Sequence, residues 1–227
     1  MMKTKYALLA LVSLPLMLSA QDKHSTDTSY ANGYYVKRLD YFKQLPPQKN
    51  AIVFLGNSIT EVGDWQEVTA MPGVINRGIS GDNSFGIFHR LDEILMLKPS
   101  KIFLVIGVND IKRGTPLTVI AENYERIILK IRKHAPKSKL YLQTILPVNE
   151  PMLAAIYDNI RNHKIISLNE LLKDLSEKYK LPYVDLYKDV FVDKNGQLIK
   201  ELSTDGLHLQ PLAYMLWADY LKQKKYL

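Results

Sequence analysis

Five short apolar runs interleaved with amphipathic stretches constrain this chain more than any other feature. The runs Ala51 to Leu55, Val74 to Asn76, Lys101 to Ile106, Lys139 to Leu146 and Tyr183 to Leu186 read as strands. Helical patterns run around Tyr34 to Gln44, Phe85 to Leu97, Pro116 to His134 and Ile156 to Tyr179, and Gln210 to Tyr226 closes the series. Strands that are apolar along their whole length have no solvent face, so they belong in a parallel sheet covered by helices on both sides. Right-handed crossovers then give a doubly wound α/β sandwich. At 227 residues the chain fits one domain with a sizeable core, and it carries no internal repeat or low-complexity tract.

The first twenty residues stand apart from this pattern. Lys3 and Lys5 precede an apolar run from Tyr6 to Leu18 and a small Ser19-Ala20 pair, the layout of a secretory signal peptide. The expected division is a signal peptide at 1–20 and a folded domain at 21–227. The apolar run is shorter than the roughly 20 residues a membrane-spanning helix needs. There is no cysteine, which excludes disulfides, a thiol nucleophile and thiolate metal sites. A disulfide-free exported protein with a good core suits a periplasmic or secreted location.

The formal charge is +7, but the lysines are scattered. The local groups at Lys173, Lys178, Lys180 and at Lys222, Lys224, Lys225 read as solvated helix faces, with an acidic polysaccharide or membrane surface as the alternative. No interleaving of basic and aromatic residues points to nucleic acid. His24, His89, His134 and His163 lack metal-ligand spacing, and nothing calls for a metal or a cofactor.

In an open α/β sheet, ligands bind in the crevice at the carboxyl ends of the strands. Three of the predicted strands end in glycine turns there: Gly56-Asn57-Ser58-Ile59, Gly78-Ile79-Ser80-Gly81-Asp82 and Gly107-Val108-Asn109-Asp110. A fourth segment, Asp205-Gly206-Leu207-His208, places an acid and an imidazole three residues apart before the last helix. Each has an ordinary reading. Ser58 could simply cap the next helix. Gly78 to Gly81 could be a strand-to-helix turn, though no Lys-Ser/Thr pair follows it as a phosphate-binding P-loop requires. Asn109-Asp110 could be a turn, and Asp205-x-x-His208 a surface loop.

Taken together and in this order, the four segments resemble the blocks of the SGNH hydrolases, the GDSL esterase/lipase family, and they span Ile52 to Leu209. The resemblance implies a three-layer, flavodoxin-like sandwich with a five-stranded parallel sheet in the order 2-1-3-4-5. It also implies a nucleophile at Ser58, a base at His208 oriented by Asp205, and oxyanion donors at the backbone N–H groups of Ser58 and Gly81 and the side-chain amide of Asn109. One departure is visible. The family's first block usually reads Gly-Asp-Ser, and Asn57 stands in place of the aspartate.

A free hydroxyl is hardly ionised at neutral pH, so Ser58 needs the imidazole, and the imidazole needs a partner for the charge it gains. Asp110 is expected to hold the active-site loop rather than react. Trp65 and the segment Val148 to Tyr157 are expected to line the substrate pocket. The expected activity is hydrolysis of short-chain acyl esters, acetyl first, on a small molecule or a glycan. The rivals are a lysophospholipase or thioesterase of the same family and a non-catalytic glycan-binding module on this fold. The sequence leaves the oligomeric state open.

Overall fold

The computed structural model describes residues 27–227, so the signal-peptide reading and His24 lie outside the described residues. Five strands form one sheet: β1 (Ile52–Gly56), β2 (Val74–Gly78), β3 (Lys101–Val105), β4 (Lys139–Gln143) and β5 (Tyr183–Val184). Their order is β2-β1-β3-β4-β5 and every pairing is parallel. The expected topology is therefore the observed one.

Among the described residues, eight α-helices flank the sheet: α1 (Gly33–Gln44), α2 (Ser58–Glu61), α3 (Trp65–Thr69), α4 (Ser84–Met96), α5 (Val108–Lys112), α6 (Leu117–His134), α7 (Asn162–Lys178) and α8 (Pro211–Gln223). Successive side chains of a strand point to opposite faces, which sorts the core into two layers. Phe54, Phe103 and Tyr141 occupy neighbouring positions on β1, β3 and β4 and stack in a row, with centroids 5.0 and 4.5 Å apart. Trp65 of α3 lies flat on Phe54 at 3.9 Å, and Trp217 of α8 meets Trp65 edge-on at 4.9 Å. Val53, Leu55, Ile102 and Leu104 point the other way, into the layer where α4 packs on α6 and α6 on α7.

Some boundaries move. The helix expected from Ile156 begins at Asn162, because Glu150–Met152 and Ala155–Tyr157 form single 3-10 turns instead. The Asn162 side chain accepts from the Val148 N–H at 2.9 Å and donates to the Val148 carbonyl at 2.8 Å, tying this segment down before the helix starts. β4 stops at Gln143, where the Ile145 N–H turns to the Asn169 side chain at 2.8 Å. The short helices α2, α3 and α5 are too brief to leave a periodic signal.

Trp65 belongs to the core and is not among the residues lining the cavity beside Ser58. It is 1% exposed, and its Nε1 donates to the Thr60 carbonyl at 2.7 Å, so it anchors α3 in the core. The lysines of both local groups are exposed. Among the described residues, no helix is long and apolar enough to cross a membrane, and no group of His, Asp or Glu is placed to hold a metal.

Candidate active site

The chain leaves β1 through Gly56 and Asn57. Asn57, not Ser58, caps α2: its Oδ1 accepts from the Ile59 N–H at 3.0 Å. That bond needs only an acceptor oxygen, which an amide supplies as well as a carboxylate, so asparagine serves at this position. Ser58 becomes the first helical residue. Its half-buried hydroxyl is free of capping duty and stands 3.0 Å from His208 Nε2.

The imidazole is held by a closed turn. His208 Nδ1 lies 2.8 Å from Asp205 Oδ2, while Asp205 Oδ1 accepts from the backbone N–H groups of Leu207 and His208 at 2.9 and 2.7 Å. Burial alone would raise the Asp205 pKa, but these bonds outweigh it and hold the carboxyl below its ordinary value. Gly206 makes the turn possible, with φ of +90° and a backbone so close to Asn149 and Met152 that a side chain would collide with them. Its carbonyl accepts from the Asn149 N–H at 2.8 Å. The first part of the segment expected to line the pocket is thus the backing of the acid–imidazole loop, with Val148 fully buried.

Gly81 sits in the turn after β2, and Asn109 in the opening turn of α5. The Asn109 side-chain amide donates to the Asp82 carbonyl at 2.8 Å, which uses one of its two N–H bonds, and the exposed Arg113 donates to the Gly81 carbonyl at 3.0 Å. Among the described residues, no acceptor engages the backbone N–H of Ser58 or Gly81. The structure thus leaves unpaired N–H groups at all three expected oxyanion positions.

Beneath these turns lies a buried polar layer. Arg90 and Asp82, both fully buried, pair at 2.8 Å, and Arg90 Nη2 donates to the Gly56 carbonyl at 3.0 Å. Asp110 accepts from the Ser84 hydroxyl at 2.6 Å and from its backbone N–H at 3.1 Å, which makes it the loop-holding residue the sequence suggested. Burial pushes the Asp82 carboxyl up to about 6, with Arg90 opposing. Burial likewise pushes Asp110 up to about 7, with the Ser84 bonds opposing and the charge of Asp82 adding to the rise.

These shifts have a sign. Free carboxyls titrate near 4, so between about pH 4 and 7 the folded state holds protons that the unfolded chain has released. The contribution of this pair to stability therefore falls as pH rises through that window. Asp110→Asn keeps an acceptor for Ser84 and removes the titration, so its melting temperature is expected to decline less than that of wild type between pH 5 and 8. Parallel declines in the two proteins, measured by thermal melts, would place the pH dependence elsewhere.

His89, His134 and His163 are exposed. Sequence reasoning missed Glu61 and Arg90 at the site. A glutamate three residues after the candidate nucleophile, on the same short helix, is the one local signal that could have drawn attention to the first.

The GDSL-like lipase/acylhydrolase family model matches residues 54–216. The chain belongs to this family. A Streptococcus pneumonia structure provisionally described as a platelet activating factor is 33% identical, with a TM-score of 0.75, and the match covers 84% of this chain and 90% of that one. An arylesterase from Vibrio mimicus is 27% identical over 187 residues, 80% of each chain. An N-acylneuraminate cytidylyltransferase from Streptococcus agalactiae serotype V is 24% identical over 169 residues, and there the match covers 71% of this chain but 38% of the relative. The chain thus spans well under half the length of that relative.

Proposed function

We propose that this chain is an exported serine esterase that removes short acyl groups, acetyl first, from oxygen esters on carbohydrate. The observation that carries the reading is the line from Ser58 Oγ to His208 Nε2 at 3.0 Å and from His208 Nδ1 to Asp205 Oδ2 at 2.8 Å. In this reading His208 takes the Ser58 proton as the hydroxyl oxygen attacks the ester carbonyl, and the Asp205 carboxylate stabilises the imidazolium that forms. The protonated ring then passes its proton to the leaving alcohol. Water, deprotonated by the same ring, releases the acid from the acyl-enzyme and restores Ser58.

The tetrahedral oxyanion is stabilised by the N–H groups of Ser58, Gly81 and Asn109. Asn109→Ala is expected to lower kcat by about 10² to 10³ with a smaller change in KM, since this donor acts mainly on the oxyanion. A change confined to KM, in steady-state kinetics with p-nitrophenyl acetate, would move Asn109 to ground-state binding.

The preference for a short acyl group rests on space. The cavity lined by Asn57 and Ile59, on either side of Ser58, and by Val105, Ile106, Val108, Ile145 and Leu146 holds about 10 Å³, the lower limit of room for a single water. The carbohydrate assignment rests on the signal-peptide reading, which exposes the enzyme to extracellular glycans, and on a relative named for an acylated sugar.

Hydrolysis of p-nitrophenyl acetate well ahead of the octanoate, with acetate release from acetylated xylan or O-acetylated sialic acid, is the expected result. Preference for octanoate would favour a lysophospholipase or thioesterase. Inactivity on both, with retained glycan binding, would favour a binding module.

A further inference from the structure

We propose that Glu61 is a positioning residue for the oxyanion donors, holding the Ser80-Gly81 turn against the nucleophile helix while α1 holds Glu61. The inference rests on the serine-esterase reading above. Glu61 closes the single turn of α2 that Ser58 opens, and its side chain is 11% exposed. Each carboxylate oxygen has its own partners. Oε2 accepts from the Ser80 backbone N–H at 2.7 Å and from the Ser80 hydroxyl at 2.5 Å. Oε1 accepts from the Tyr34 hydroxyl at 2.6 Å and lies 2.8 Å from Arg38 Nε.

The Oε2 pair reaches the candidate oxyanion hole through one peptide. Gripping both the N–H and the hydroxyl of Ser80 fixes its φ and χ1 together. The following peptide carries the Gly81 N–H, at a residue with φ of +80° and no side chain of its own to orient it. The strand below is already welded to α2. The Asn76 amide lies 2.9 Å from the carbonyls of Thr60, Glu61 and Gly63, Asn76 Oδ1 accepts from the Gly78 N–H at 2.8 Å, and a Cβ on Gly78 would overlap the Glu61 backbone. Backbone contact therefore sets β2 against Ser58, and the Glu61 carboxylate carries that register onward to Gly81.

Burial would raise the Glu61 pKa, but the bonds from Ser80 and Tyr34 and the Arg38 charge hold it low, which keeps it the charged acceptor this geometry needs. Its outer partners, Tyr34 and Arg38, come from α1, which precedes the family-matched residues 54–216. The chain thus steadies a family site with a helix from outside the matched region.

Misplacing a catalytic group by about 1 Å can cost on the order of 10² in rate. Glu61→Gln replaces one acceptor with an amide that faces donors on both sides, so kcat for p-nitrophenyl acetate is expected to fall about 10- to 100-fold with KM little changed. The double variant with Asn109→Ala should lose less than the product of the two single losses, because both act on one oxyanion. Ser80→Ala removes a single hydroxyl and should lower kcat in the same sense without a large loss of melting temperature. It decides the matter if Glu61→Gln fails to fold.

Unchanged kcat in folded Glu61→Gln or in Ser80→Ala, or fully multiplicative losses with Asn109→Ala, would overturn the positioning role. A wild-type protein that neither turns over the ester nor reacts at Ser58 would instead overturn the esterase reading, so the two failures are told apart.

Discussion

Ser58→Ala is expected to abolish ester hydrolysis, a loss on the order of 10⁶ in kcat, while the melting temperature stays close to that of wild type. The hydroxyl is half-buried at the start of α2, and among the described residues its one hydrogen-bond partner is His208 Nε2. Removing it leaves no buried polar group unpaired, because the ring nitrogen can turn to water. The cap of α2 is untouched, since Asn57 supplies it. A fluorophosphonate probe should label wild-type protein at Ser58 only, read by peptide mass spectrometry. The nearby serines are committed elsewhere: the Ser80 hydroxyl donates to Glu61, and Ser84 is fully buried with its hydroxyl on Asp110. Labelling at Ser80 or Ser84 would overturn the assignment.

The site was legible because a parallel sheet gathers the carboxyl ends of its strands along one edge. Ser58, Gly81 and Asn109 each follow a strand by a few residues, so three local motifs become one cluster once the strands are parallel. The order of the strands is a different matter. Apolar runs of similar length carry no information on who pairs with whom, and that expectation came from family resemblance.

What stayed hidden depends on partners distant in sequence. Glu61 and Tyr34 are 27 residues apart, and Arg90 reaches back 34 residues to the Gly56 carbonyl. No periodicity or motif connects such pairs. Trp65 was misread for a related reason: an aromatic near a strand end suits a pocket wall or a core equally, and only the row of Phe54, Phe103 and Tyr141 beneath it makes the core the better place. The late start of α7 follows from Asn162 bracketing Val148, again a contact between segments that a helical pattern does not report.

Asp205→Asn is expected to cut kcat/KM by about 10⁴, and the structure explains why an isosteric change should do so much. Asp205 divides its oxygens: Oδ1 serves the backbone N–H groups of Leu207 and His208, and Oδ2 faces the ring Nδ1. In the asparagine variant the amide oxygen keeps the two backbone donors, which leaves the NH₂ group pointing at Nδ1. A donor there demands an unprotonated Nδ1, so the proton moves to Nε2, the atom that must accept from Ser58. The base is then in the wrong tautomer, and the imidazolium formed on attack has lost its counter-charge. The wild-type carboxyl is held below its ordinary pKa, so it is ionised across the neutral range and the deficit should persist throughout. The same depressed pKa means that wild-type Asp205 adds stability above the usual carboxylate range and loses it as pH falls through its folded value, a loss the variant does not show. Steady-state kinetics on samples matched for melting temperature check the rate. Near-wild-type turnover in folded Asp205→Asn would reduce the machinery to Ser58 and His208, with a backbone carbonyl near His208 left to orient the ring.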